Sequence, residues 1–342
     1  MKNVFITGVS GYIGGDLLSV LAVQYPDYNY RILARSEKSS ELIKAQFPAA
    51  EIVLSDLNDL ETLRKESARA DVIIHTADAS DHLPAAQAIV QGALEGHDEG
   101  HPVYLLHTSG TGILSFLDTE NGVYGERRDK LYDDLEGVQE ILGFPDHAFH
   151  RDVDKFVLEA GAEHSKVLKA AIVSPSTVYG RGRGPCSQRS RQVYEMSKYT
   201  LQNGKIPIIG RGLSTGGNIH VADVTSLFVL LFERAHHGDK DGKLWGGEAY
   251  YIGATGEHCW GDVAKLVGKV AVDEGFIPSA EIQSLDVETA RRLAGFEAVS
   301  WGLNMRSRAK RATEYLGWEA SGPSLEDEIP GIVREEWQRL QE

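Results

Sequence analysis

Residues with the clearest chemical potential lie at the amino terminus, where Val4-Phe5-Ile6 runs into Thr7-Gly8-Val9-Ser10-Gly11-Tyr12-Ile13-Gly14. The glycines follow a Gly-x-x-Gly-x-x-Gly spacing between a β-branched strand and an amphipathic helix. Gly8 permits a tight turn, Gly11 lets backbone approach a pyrophosphate, and Gly14 allows close helix–strand packing. The helix end then offers free N–H groups and a positive dipole end to phosphate. Thr7, Gly8, Ser10, Gly11, Tyr12, Ile13 and Gly14 are therefore the expected dinucleotide-contacting stretch, in the context this motif requires.

At the end of the second strand, Ile32-Leu33-Ala34-Arg35-Ser36-Glu37-Lys38 carries a basic residue where an NAD site usually presents an acid. Arg35, assisted by Ser36 and Lys38, suits a ribose 2′-phosphate, so NADP(H) is favoured over NAD(H). The alternative is that Arg35 is a solvated surface charge and Glu37 reads the ribose.

Other chemistry-bearing groups point less sharply. Arg181, Arg183, Arg189 and Arg191 cluster in a Gly-rich loop and can bind a substrate anion or simply solvate the loop. Asn218, His220 and Asp223 are candidates to close a pocket, although Asp223 reads equally as a helix cap. His97/His101 and His236/His237 lack accompanying cysteines and paired carboxylates, so no metal site is expected. Cys186 and Cys259 have no CxxC spacing, which argues against a disulfide framework. Trp245, Trp260 and Trp301 read as packing residues.

Short apolar runs alternating with amphipathic stretches must position these groups. Strands are expected at Val4–Thr7, Tyr30–Ala34, Ile52–Ser55, Val72–Thr76, Val103–Thr108 and Val167–Val173. Their continuous Val/Ile/Leu content fits parallel strands covered on both faces. Ile13, Leu17 and Leu21, with Leu18 alongside, give the first helix one buried stripe. Leu57–Ala68, Pro84–Leu94 and Ala148–Glu159 read as further helices. After Gly180, helices are expected at Arg189–Gln202, Val224–Ala235, Trp260–Asp273, Asp286–Ala294, Ser307–Leu316 and Leu325–Leu340, with a strand at Ala249–Gly253. The resulting expectation is an α/β, Rossmann-type doubly wound parallel sheet over residues 1–180, with 218–252 returning to it. Residues 181–342 mainly form a smaller substrate-binding cap with a discontinuous boundary.

The glycine turn resembles that of the short-chain dehydrogenase/reductase superfamily, in its extended, epimerase/dehydratase-like branch, and further matches follow in order along nearly the whole chain. Ser55-Asp56-Leu57 is similar to the family's adenine-contacting acidic position, and His75-Thr76-Ala77 to the small-residue end of its fourth strand. Ser174-Pro175-Ser176-Thr177-Val178-Tyr179-Gly180 resembles its Pro-x-x-x-Tyr-Gly stretch, and Leu316-Gly317-Trp318 its Leu-Gly-Trp signature. The resemblance adds Asp56, Leu57, Thr76, Ala77, Pro175 and Val178 to the expected cofactor contacts.

The resemblance also implies a catalytic Ser, Tyr and Lys, the Lys four residues after the Tyr and lowering its pKa. Ser109 matches the Ser, with Thr111 beside it. Phe149-His150-Arg151-Asp152-Val153-Asp154-Lys155 aligns best with the Tyr-x-x-x-Lys element, which puts Lys155 at the Lys position, as a catalytic and ribose-binding residue, and Arg151 where the Tyr should be. An arginine stays protonated and is no ordinary general acid. Three substitutes present themselves. His150, i−4 from Asp154 on one helical face, can donate the proton; Tyr124 or Tyr132 can supply a phenol; or no side chain transfers a proton and Arg151 anchors an anion.

The chain has 342 residues, 42% hydrophobic and 25% charged, with 35 Lys and Arg against 50 Asp and Glu and a net charge of −15. Such acidity argues against sequence-independent nucleic-acid binding and against docking on an anionic membrane. No stretch approaches the roughly 20 apolar residues of a membrane span. A soluble, cytoplasmic enzyme with a small-molecule substrate is expected, a homodimer being compatible with this. The leading function is an NADP(H)-binding oxidoreductase acting on a carbonyl or secondary alcohol. An epimerase or dehydratase with transient cofactor reduction is a second reading, and a non-catalytic NADP-binding sensor a third.

Overall fold

The computed structural model describes residues 2–342. Its elements in chain order are β1 (Asn3–Thr7), α1 (Tyr12–Gln24), β2 (Asn29–Ala34), α2 (Glu37–Gln46), β3 (Glu51–Leu54), α3 (Leu60–Ser67), β4 (Val72–His75), α4 (Leu83–Gly96) and β5 (Val103–Thr108). After a 3-10 turn come α5 (Phe116–Asn121), β6 (Tyr132–Asp133), α6 (Val138–Leu142), α7 (Arg151–Glu163), β7 (Leu168–Pro175), β8 (Thr177–Tyr179), α8 (Gln192–Asn203) and β9 (Lys205–Ile209). The chain continues through β10 (Thr215–His220), α9 (Val221–His236), β11 (Tyr250–Gly253), β12 (Gly256–Cys259), α10 (Trp260–Asp273) and β13 (Glu281–Leu285). It ends with α11 (Val287–Val299), β14 (Ser307–Arg308), α12 (Arg311–Leu316) and α13 (Leu325–Arg339).

Seven strands form one sheet in the order β11-β7-β5-β4-β1-β2-β3, every neighbouring pair parallel. The order reverses between β1 and β4, which opens a crevice beyond their carboxyl ends. The central strands are buried on both faces: Val4, Ile6, Val72, Ile74 and Leu106 face one core cluster while Phe5, Ile73 and Leu105 face another. The expected stripe on α1 packs as predicted, with Leu17, Leu18 and Leu21 fully buried.

The second half departs from its pattern at several places. Ser307–Leu316 is not one helix: Ser307 and Arg308 pair in parallel with Tyr132 and Asp133, and the helix begins only at Arg311. Strands β8, β10 and β12 form a small sheet of their own, and β9 pairs with β13. These short pairings join segments far apart in sequence and carry no periodic signature of their own. The expected helix at Ala148–Glu159 starts three residues later, at Arg151, because His150 has a left-handed backbone with φ 66°.

Candidate active site

Two cavities lie beyond the carboxyl ends of the central strands. The larger, about 690 Å³, is lined by Gly8, Ser10, Gly11, Arg35, Asp56, Leu57, Thr76 and Ala77, together with Asp78, His82 and Arg191. Its floor is backbone. Gly8 has φ +86°, and a Cβ there would lie 2.4 Å from the Thr76 hydroxyl. Gly14 is equally tight, its added Cβ meeting Thr76 Oγ1 at 2.4 Å and Gly8 O at 2.5 Å. Thr7 serves this turn from within: its hydroxyl contacts His75 Nδ1 at 2.7 Å, and its carbonyl accepts from the Thr76 hydroxyl at 2.7 Å.

Gly11 provides no side-chain cap to α1, so the helix presents its first N–H groups to the cavity. The side chains of Tyr12 and Ile13 turn elsewhere. The Tyr12 hydroxyl donates to Gly180 O at 2.6 Å, and Ile13 packs against the core. Arg35 is exposed on the cavity rim, whereas Ser36 caps α2 by accepting from Ser39 N and Lys38 is exposed on the first turn of that helix. Val178 packs against the core behind the groove.

The smaller cavity, about 320 Å³, is lined by Thr111, His150 and Pro175 from the expected set, with Asp81, Phe149 and Glu297. His150 is 9% exposed. Its Nδ1 lies 2.8 Å from Asp81 Oδ1, so a carboxylate there holds the proton on Nδ1 and leaves Nε2 as the working nitrogen. Nε2 faces the Gly110–Gly112 turn: Cβ atoms added at these glycines would approach it to 3.3 and 3.1 Å. His150 and Asp78 are the two non-glycine residues with positive φ among the described residues, one in each cavity. A bulky residue held in this region is strained, and strain of this kind concentrates at functional sites.

Four residues after His150, Asp154 points inward from α7 and accepts from the Ser109 hydroxyl at 3.0 Å. Ser109 reaches this place because its N–H donates to Val173 O, extending the β5 ladder by one residue. Burial pushes the Asp154 carboxyl up to about 6, against the lowering effects of His150, the Ser109 hydroxyl and Tyr250. The Tyr250 hydroxyl lies against both Asp154 and Ser109 and donates to Ser174 Oγ at 3.0 Å. Burial, then the Asp154 charge, hold that phenol well above its usual range. Asp81 is held below the usual carboxylate range: burial alone would raise it, but the bond to His150 prevails.

The pair Arg151/Lys155 is not part of this arrangement. Arg151 is buried and donates to the carbonyls of Phe144 and Leu142, closing the end of α6. Lys155 Nζ lies 2.9 Å from Asp146 on the outer face, away from both cavities. The inward-facing i,i+4 pair is thus His150/Asp154, one residue earlier than the best alignment suggests. The difference comes from the late start of α7, which rotates the face presented to the sheet. Tyr124 packs beside Gly302, and Tyr132 is buried in β6 against Phe144, neither lining a cavity.

Of the loop arginines, Arg183 binds the buried Asp16 carboxylate and Arg189 pairs with Glu195 and Glu336. Arg181 pairs with Glu335 at the surface. Arg191 lines the larger cavity, and its guanidinium meets Glu297 at 2.7 Å. Asn218 contacts His258 Nδ1, His220 caps α9, and Asp223 accepts from Ser321 N and Gly322 N. No group of three or more His, Cys, Asp or Glu among the described residues is placed to hold a metal ion. No described helix is long and apolar enough to cross a membrane.

Asp81, Asp154, Ser174 and Tyr250 were not singled out as catalytic candidates in the sequence. For Asp154 a signal existed, its i,i+4 spacing from His150. Asp81 and Tyr250 come from distant segments and carry none.

The family described as the NAD dependent epimerase/dehydratase family matches residues 4–253. An oxidase, ucsJ, from Acremonium sp is 35% identical over 346 residues, covering 99% of this chain and 99% of its own length. Among solved structures, the dTDP-glucose 4,6-dehydratase DesIV of Streptomyces venezuelae aligns with a TM-score of 0.67 at 18% identity, covering 99% of this chain and 97% of its own. UDP-glucose 4-epimerase from Thermotoga maritima aligns with a TM-score of 0.66 at 14% identity, covering 100% of both chains.

Proposed function

The chain belongs to the NAD dependent epimerase/dehydratase family and is an enzyme of the short-chain dehydrogenase/reductase type, and from this premise we propose that it interconverts a carbonyl and a secondary alcohol of a small organic molecule using NADP(H). Gly8, Gly11 and the α1 amino terminus would hold a dinucleotide along the larger cavity, where it would supply or accept the hydride. The proton is handled by His150 Nε2 at the smaller cavity, in place of a phenol. The observation that carries this is the Asp81–His150 pair, which fixes the tautomer at a ring whose Nε2 faces the Gly110–Gly112 turn of the smaller cavity.

In the reductive direction the imidazolium form of His150 gives its Nε2 proton to the carbonyl oxygen and is left neutral, with its remaining proton on Nδ1. In the oxidative direction the neutral ring takes that proton back, and Asp81 balances the resulting imidazolium charge. Ser109 orients the oxygen, and Asp154 sets which way the serine hydroxyl points. Gly8, Gly11 and the α1 amino terminus suit the pyrophosphate, and Arg35 suits a 2′-phosphate. The name of the Acremonium relative, an oxidase, favours net redox chemistry.

The test is His150→Gln, with dinucleotide affinity and turnover measured separately. Turnover is expected to fall roughly 10²–10⁴-fold with the dinucleotide dissociation constant unchanged. Undiminished turnover would remove His150 from the mechanism. The names of the structural neighbours keep an epimerase or dehydratase cycle as the second reading. That reading requires product formation without net consumption of reduced dinucleotide, which spectrophotometry at the nicotinamide band decides.

A further inference from the structure

We infer that the smaller cavity selects an uncharged, ring-bearing ketone or its alcohol, and that Phe149 and Phe296 are the residues that hold the ring. This rests on the proposed carbonyl chemistry at His150 and specifies its substrate. Three rings form a continuous wall ending at the imidazole. Phe149 and His150 have centroids 3.8 Å apart at 39°, and Phe149 and Phe296 have centroids 4.5 Å apart at 31°. Phe149 nevertheless remains 39% exposed. A substrate ring lying on this wall in an offset arrangement replaces water on an apolar face and leads its carbonyl to Nε2.

The position of Phe296 is built into the backbone. Helix α11 breaks at Ala294 and Gly295, Gly295 having φ 59° and ψ −139°. The break brings Phe296 and Glu297 to the cavity instead of continuing the helical face. Met305 and Pro175 add further apolar lining.

Charge argues in the same direction. The cavity lining includes two carboxylates, Asp81 and Glu297, and no Lys or Arg among the described residues. Arg191 lines the neighbouring larger cavity and is paired with Glu297. A phosphorylated or nucleotide-linked substrate would bring two or more negative charges to a wall that offers no free cation, against the usual pairing of such groups with Arg or Lys. The cavity volume of about 320 Å³ also lies at the small end of ligand pockets, roughly 300–1,000 Å³.

The inference is tested by calorimetric titration of the enzyme loaded with the oxidised dinucleotide it binds, so that ketones form a dead-end complex without turnover. The probes are 1-tetralone, cyclohexanone and UDP-glucose. 1-Tetralone is expected to bind about tenfold or more tighter than cyclohexanone, and UDP-glucose not to bind. Phe149→Ala and Phe296→Ala should each weaken 1-tetralone about tenfold while leaving dinucleotide affinity unchanged, and Phe296→Tyr should retain it. UDP-glucose binding at least as tightly as 1-tetralone, or alanine variants with undiminished 1-tetralone affinity, would overturn the inference. If 1-tetralone binds as expected but His150→Gln still reduces it, the proton-transfer reading fails and this one stands. If His150-dependent turnover occurs on a sugar nucleotide and 1-tetralone does not bind, the outcome is reversed.

Discussion

The inner and outer faces of α7 carry similar charged groups in opposite surroundings. On the inner face the Asp154 carboxyl is cut off from water, accepts from Ser109 and titrates near 6. On the outer face Lys155 reaches Asp146 across solvent, its side chain 37% exposed. One residue of helical rotation separates them, about 100°. Burial makes the first pair responsive to small changes, because a low-dielectric site amplifies every charge and hydrogen bond. Water damps the second. The same helix therefore has one face able to tune chemistry and one face that serves solubility.

The largest expected contrast comes from Asp154→Asn. Above about pH 6 the ionised carboxyl accepts the Ser109 O–H hydrogen bond and adds a negative charge that favours the imidazolium His150 forms on taking an alcohol's proton. Below about pH 6 a protonated Asp154 can donate to Ser109, freeing the serine hydroxyl to donate to a carbonyl. Alcohol oxidation should therefore rise with pH through about 6 and ketone reduction should fall. In the Asn variant this inflection should vanish, and oxidation at pH 8 should drop on the order of 100-fold. A pH profile that keeps its inflection near 6 in the variant would detach Asp154 from the site.

Stability supplies a second reading of the same substitution. The folded-state pKa is raised, so the fold binds this proton more tightly than the unfolded chain does. The contribution of Asp154 is most favourable below its unfolded value near 3.9 and is lost as pH rises through about 6. A shift of this size corresponds to about 3 kcal/mol at pH 8, as an order of magnitude. Asp154→Asn should accordingly melt higher than the parent at pH 8, an advantage that shrinks at pH 4.5. Equal melting differences at both values would show that the carboxyl is better solvated than its burial implies.

The lining of the larger cavity was largely legible because much of it lies in consecutive backbone. Gly8, Gly11 and Gly14 are needed wherever a strand turns sharply into a helix against a phosphate, and their spacing survives without knowledge of the rest of the chain. The smaller cavity draws Asp81 from the loop after β4, Thr111 from the turn after β5, Pro175 from the end of β7 and Phe296 from a broken helix. Only folding brings these together. The single misregistered pair, Arg151/Lys155 in place of His150/Asp154, follows from a helix start that depends on the left-handed backbone of one histidine. No residue type in Ala148-Phe149-His150 announces that conformation. The second-half pairings β9–β13 and β6–β14 were missed for the same reason, being short and long-range.

An intermediate effect is expected at the groove rim. Arg35 is exposed and lines the cavity beyond β2. Arg35→Ser should weaken NADP+ on the order of 10- to 100-fold, through loss of a bidentate partner for the 2′-phosphate, and leave NAD+ affinity nearly unchanged. Equal losses for both dinucleotides would mean that Arg35 stacks on adenine without reading the phosphate. An unchanged ratio with unchanged affinities would return the choice to Glu37.

The smallest effect separates the two faces of α7 most directly. Lys155→Met removes the outer charge and leaves the methylene stem, so packing along the helix is kept. The lost contact to Asp146 is exposed and screened by salt. Turnover and dinucleotide affinity are expected to stay within about twofold, and the melting temperature within about 2 °C. In an enzyme whose ribose-binding lysine stood at this position, the same substitution would remove dinucleotide affinity and activity together. Measuring both parameters in Lys155→Met and in Asp154→Asn therefore decides which of the two adjacent residues faces the chemistry. A large loss in the lysine variant alone would require α7 to be rotated by one residue, moving the inner face from His150/Asp154 to Arg151/Lys155.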